Sequence, residues 1–168
     1  MPLEPTLYSP FEVRRLTSQK IPLAYPLLHA ATDIALDKWR AYAKSHIEPG
    51  TIDPATSSGI MCVEDAKGYI HGLFAYRVVP HLVCQYVLQC ENVVALHIVD
   101  ERRIQDALLE AMERLAREHG CEAIHICLAE DRTVVIDTER ERESATWHQL
   151  QGAHYVPTGL ILAKLTSN

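Results

Sequence analysis

Phe11-Glu12-Val13-Arg14-Arg15-Leu16-Thr17 alternates apolar and polar residues and predicts a first strand. Ile21 to Ala31 is helical in character but carries Pro22 and Pro26, so a helix that is short or broken at its start is expected. Between Asp33 and His46, the residues Ile34, Leu36, Trp39, Tyr42 and Ala43 fall on an imperfect helical stripe, with Asp33 as its starting residue. Residues 48–58 are loop by composition. Gly59 to Val63 and Tyr69 to Val79 predict two strands joined by a turn at Asp65-Ala66-Lys67-Gly68. Pro80-His81 interrupts the second of these. Leu82 to Val99 is a further long extended run, bent or bulged near Glu91-Asn92.

The segment from Val87 to Leu128 carries most information. Val93-Val94-Ala95-Leu96-His97-Ile98-Val99 stops at Asp100, a good N-cap, with Val99 and Ile104 at hydrophobic-staple spacing. Ile104, Ala107, Leu108, Ala111, Met112 and Leu115 then recur at helical spacing until Gly120. Ala123 to Leu128 resumes an extended run, predicting a parallel return through a right-handed crossover. A strand that feeds directly into a helix leaves unbonded N–H groups and a positive dipole end, a seat for phosphate. Beyond it, Asp137 to Glu143 is a charged run, residues 144–151 predict a shorter helix, and Gly159 to Leu165 predicts a final strand.

At 168 residues the chain has the length of one domain, 1–168, able to bury a real core. A formal net charge of −6 and the lack of any Lys/Arg run argue against nucleic acid or an anionic membrane as partner. The N-terminus does not have the form of a signal peptide, and no apolar run approaches the roughly 18–20 residues of a membrane span. Five cysteines, an odd number set mostly in strand-like runs, point to reduced thiols in a cytoplasmic protein. Neither CxxC spacing nor a tight Cys/His cluster suggests a metal.

The order strand, two helices, three antiparallel strands, helix, strand, helix, strand resembles the GNAT acyltransferase superfamily. The resemblance is best from Gly59 to Leu165. Its clearest parts are Ala107-Leu-Leu-Glu-Ala-Met-Glu-Arg-Leu-Ala-Arg-Glu-His-Gly-Cys121 and the ending Gln151-Gly152-Ala153-His154-Tyr155 through Leu162-Ala163-Lys164-Leu165. It implies an α/β (α+β) fold with a mixed, mostly antiparallel sheet of six to seven strands and about four helices. It also implies acetyl-CoA as acyl donor, and a primary amine that attacks the thioester directly. The acceptor, a small-molecule amine or a protein N-terminus or lysine, stays open.

Where the superfamily has Arg/Gln-x-x-Gly-x-Gly/Ala before the helix, this chain has Asp100-Glu101-Arg102-Arg103-Ile104-Gln105-Asp106, shorter and without glycine. Glycines let a backbone approach a pyrophosphate closely. Here Asp100 and Glu101 would repel that anion, while Arg102 and Arg103 would attract it. The cofactor-binding residues carried over are Ile98, Val99, Arg102, Arg103 and Ile104. Arginines in a first helical turn run against the dipole preference, which suggests a use for their charge; the plain alternative is a solvated turn paired with Asp106 or Glu110.

The resemblance places the general base in the central strand, at Glu91, whose plain alternative is a solvent-facing strand residue. His97 is a second, weaker candidate there. The superfamily's acid is a tyrosine in the last helix. Counting back from Gly152 reaches His148 instead, with Tyr155 as the later alternative. Two further readings stay open. One is a non-catalytic binding or regulatory module that has lost its cofactor loop and offers a homodimer interface. The other is an acyltransferase using a different acyl donor.

Overall fold

A computed structural model describes residues 11–48, 57–96, 101–127 and 152–155. The chain divides into two compact units, Met1–Asp131 and Arg132–Asn168. The first unit holds β1 (Phe11–Arg15), a single 3-10 turn (Ser18–Lys20), α1 (Ile21–Thr32), α2 (Leu36–Ile47), β2 (Ser58–Asp65), β3 (Ile70–Pro80), β4 (Tyr86–Ala95), α3 (Glu101–Glu118) and β5 (Ala123–Cys127). The strands form one sheet in the order β1-β2-β3-β4-β5. The first four pair antiparallel, and β5 lies parallel to β4 from Val87↔Ala123 to Glu91↔Cys127. The mixed, mostly antiparallel sheet is the architecture expected. The described residues contain five strands and three α-helices; the helix expected at 144–151 and the strand at 159–165 lie outside them.

Two local expectations need correction. α1 runs unbroken for 12 residues. Pro22 sits in the first turn, where its missing N–H has no partner to lose, and Pro26 forfeits only the bond back to Pro22. Asp33 does not open α2. Its left-handed φ of 51° closes α1, with its N–H donated to the His29 carbonyl, and α2 begins at Leu36.

Alternation along the strands sends side chains to two cores. Met61, Val63, Phe74, Tyr76 and Val78 meet Ile104, Leu108, Ala111, Met112 and Leu115 of α3. Ile60, Cys62, Leu73 and Ala75 meet Leu16, Ala24, Leu28, Trp39 and Ala43 on the other side. The buried stripe of α3 is the one expected from its sequence. A Cβ on Gly72 would lie 2.7 Å from Cγ2 of Ile104, so glycine there is what lets the first turn of α3 close on β3.

β4 breaks the alternation once. Its register against β3 jumps from Leu73↔Val94 to Ala75↔Glu91, one more residue on β4 than on β3. The extra residue sits at Asn92, whose φ is 52°. This is the bulge expected near Glu91-Asn92, and it reverses the strand's faces. Leu88 and Cys90 point to the α3 core, whereas Val94 points to the α1/α2 core.

Candidate functional site

α2 places Trp39, Tyr42 and His46 along one side at helical spacing. Trp39 is buried and donates its indole N–H to the Ile21 carbonyl at 2.7 Å, which ties α2 to α1. Its ring stacks toward Tyr42, and Tyr42 lies 4.3 Å from His46 between ring centroids. This aromatic row faces Glu91 of β4.

Tyr42 donates its hydroxyl to Oε1 of Glu91 at 2.8 Å. Asn92 in turn donates an amide hydrogen to the Tyr42 hydroxyl oxygen, also at 2.8 Å. In a regular strand Glu91 and Asn92 would point to opposite faces; the bulge brings both side chains to the same phenol. Burial first, then the hydrogen bond and negative charge of Glu91, push the ionisation of Tyr42 far above its ordinary range. The phenol is therefore a permanent donor.

His46 is fully buried at its side chain, and its Nε2 lies 3.3 Å from Oε1 of Glu91. Its Nδ1 lies 3.1 Å from the Tyr42 carbonyl, which can only accept, so Nδ1 carries the hydrogen. Nε2 is then the acceptor that receives the Arg77 Nε–H at 3.3 Å. Ser58 donates to the His46 carbonyl and fastens the end of α2 to β2. Oε1 of Glu91 is thus held by α2, while Oε2 carries no hydrogen bond among the described residues, and the side chain is 30% exposed.

Cys127 of β5 lies across from Glu91 in the register; burial and the Glu91 charge raise its thiol above the ordinary range. The buried Cys62 thiol is pushed up to about 12, chiefly by desolvation. Cys90 is raised by the same cause, so these two thiols are inert core filler, as their apolar sequence neighbours suggest. All five cysteines are free. Among the described residues no group of three or more His, Cys, Asp or Glu could hold a metal ion. No helix among them is long and apolar enough to cross a membrane.

The other expected site residues divide into four sets. Arg102 and Arg103 are exposed on the first turn of α3. The Ile104 side chain is fully buried against Gly72 and Leu108, so any contact it makes with a phosphate falls to its main chain. Ile98, Val99 and His148, with His97, lie outside the described residues. Tyr155 belongs to the second unit and is half-buried there.

Solved structures of three differently named proteins share this chain's fold. The aminoglycoside N-acetyltransferase AAC(6')-Iy, in complex with CoA, superposes with a TM-score of 0.70 at 12% identity, covering 93% of this chain and 94% of that one. The ribosomal-protein-alanine N-acetyltransferase from Brucella melitensis biovar Abortus 2308 gives 0.63 at 12% identity, with 94% and 99% covered. A transcriptional regulator from Bacillus halodurans C-125 gives 0.66 at 15% identity, with 93% and 99% covered. The chain has the GNAT fold. No protein-family model matches it, and no curated protein matches it in sequence. Glu91, the residue expected as base, lies on β4 beside the bulge. Sequence reasoning missed Tyr42, His46 and Asn92 as the neighbours of Glu91. The available signal was the pair Tyr42 and His46, two polar-tipped rings four residues apart on a stripe that is otherwise apolar.

Proposed function

We propose that the protein is an acetyl-CoA-dependent N-acetyltransferase in which Glu91 is the general base toward a primary amine. The observation that carries this reading is the state of Glu91: one carboxylate oxygen anchored by Tyr42, the other without a hydrogen bond among the described residues, on a bulged strand of a GNAT fold. Acetyl-CoA, when bound, supplies the activated acyl group. The exposed Arg102 and Arg103 guanidinium groups, on the first turn of α3, would hold its pyrophosphate by charge-assisted hydrogen bonds in the absence of the glycines. Glu91 Oε2 removes one proton from the acceptor ammonium; the neutral amine forms the amide bond as the carbon–sulfur bond breaks, and its second proton leaves on the departing CoA sulfur as the thiol. The buried α2 row keeps the carboxylate from swinging away.

The test couples release of the CoA thiol to a panel of primary amines: an aminoglycoside, a polyamine and a peptide with N-terminal alanine. E91Q is expected to lower kcat at least about 100-fold with the thermal midpoint unchanged. Replacing Arg102 and Arg103 together by Ala is expected to weaken acetyl-CoA binding in calorimetry. Saturating millimolar acetyl-CoA without heat, on folded protein, overturns the reading.

One observation favours a second reading. The turn from Asp100 to Asp106 has no glycine and two acids ahead of its arginines. A GNAT-fold binding or regulatory module that has lost its cofactor loop would have this form, and acyl-CoA retained from an expression host would refute it.

A further inference from the structure

The hydrogen-bond chain around Tyr42 has a fixed direction. The Asn92 Nδ2 group can only donate, so it takes a lone pair of the Tyr42 oxygen and leaves the single phenolic hydrogen for Glu91. A carboxylate can only accept. Had the Asn92 amide been turned the other way, its oxygen and Glu91 would compete for that one hydrogen.

Asn92 also meets a backbone demand. Its φ of 52° is left-handed, a region that asparagine tolerates far better than branched residues do. The residue that makes the bulge is therefore the same one that orients the phenol. Both ends of the chain stand on consecutive residues of β4, with Tyr42 of α2 bridging them.

We infer that Tyr42 and Asn92 are positioning residues for the amine-acetylating reaction: the one-way chain Asn92 to Tyr42 to Oε1 fixes Glu91 so that only Oε2 is offered to the acceptor. This rests on the base role proposed for Glu91. A carboxylate that could rotate would present either oxygen to the acceptor. Held by a charge-assisted bond to one oxygen, it keeps a single productive rotamer.

The test uses Y42F, which removes only the hydroxyl, and N92G, which keeps the left-handed backbone and removes only the amide. With acetyl-CoA and the most active amine of the panel, Y42F is expected to lower kcat about tenfold and N92G about threefold, KM for acetyl-CoA being unchanged in both. Introduced into E91Q, neither substitution is expected to lower the residual rate further, because each acts only through the carboxylate. In tyrosine labelled with carbon-13 at Cζ, the Tyr42 signal, identified by its loss in Y42F, is expected to move in both N92G and E91Q. Wild-type kcat in Y42F, equal losses in the E91Q background, or a Tyr42 signal unmoved by N92G overturns the positioning inference and leaves Glu91 as base. Wild-type kcat in E91Q, or no thiol release by wild-type protein with any amine, overturns the base reading and the inference together.

Discussion

The two faces of the sheet are closed by helices in different ways. Beneath α3, contact is made through Ile104, Leu108, Ala111 and Met112, each at most 1% exposed. Beneath α1 and α2, Trp39 and Ala43 are equally buried, but the same face also holds His46, at 1% exposure, and the Tyr42–Glu91 chain. Trp39, Tyr42 and His46 each have a named hydrogen-bond partner, as burial requires. One face is adapted to packing. The other gives up some apolar contact to hold a carboxylate in a chosen orientation.

The largest expected effects come from opening a cavity on each face. Met112→Ala and Trp39→Ala should each cost about 3–5 kcal/mol in chemical denaturation. They should part in activity: Met112→Ala leaves turnover per folded molecule close to wild type, whereas Trp39→Ala loosens α2 and lowers it. Equal turnover losses would break the contrast between the faces. Gly72→Ala should be smaller, about 1–3 kcal/mol, because the new methyl has to displace Ile104 or Leu108. It sharpens the contrast, since it pushes on the first turn of α3. Calorimetry is expected to show weaker acetyl-CoA binding, with kcat at saturation retained.

The smallest effect lies away from both helices, in the β2–β3 turn. The His71 hydrogen bond, ahead of the amides of Tyr69 and Lys67, holds the Asp65 carboxyl below its ordinary range. A carboxyl depressed in the folded state contributes stability that is present above the unfolded value of about 3.9 and is lost as pH falls through the folded one. Urea midpoints measured from pH 6 down to pH 2 should therefore fall less steeply in Asp65→Asn than in wild type, while activity at neutral pH is unchanged.

Much of the scaffold was legible from residue periodicity. The stripe of α3, the turn at Asp65 to Gly68 and the irregularity near Glu91 all follow from local pattern and turn chemistry. The α1 boundary was misread because Pro22 and Pro26 weigh against a helix on propensity, although near a helix start they remove little hydrogen bonding. Glu91 was reachable through the resemblance. Its partners were not, because Tyr42 lies 49 residues away in sequence and reads there as one more member of an apolar stripe. Only the packing of α2 across the sheet turns that ring into a hydrogen-bond donor.

The bulge at Asn92 makes the downstream half of β4 sensitive to counting. Were the strand to straighten with every residue kept, the destinations of all side chains after Asn92 would be exchanged. Val94 would be delivered to the core beneath α3, and Val93 and Ala95, which now pack there, to the core beneath α1 and α2. Deleting Asn92 would instead leave Val93, Val94 and Ala95 alternating into the cores they now enter, and would remove the amide that reaches Tyr42. Within the described part of β4, the cores do not need the extra residue; the Tyr42 hydroxyl does.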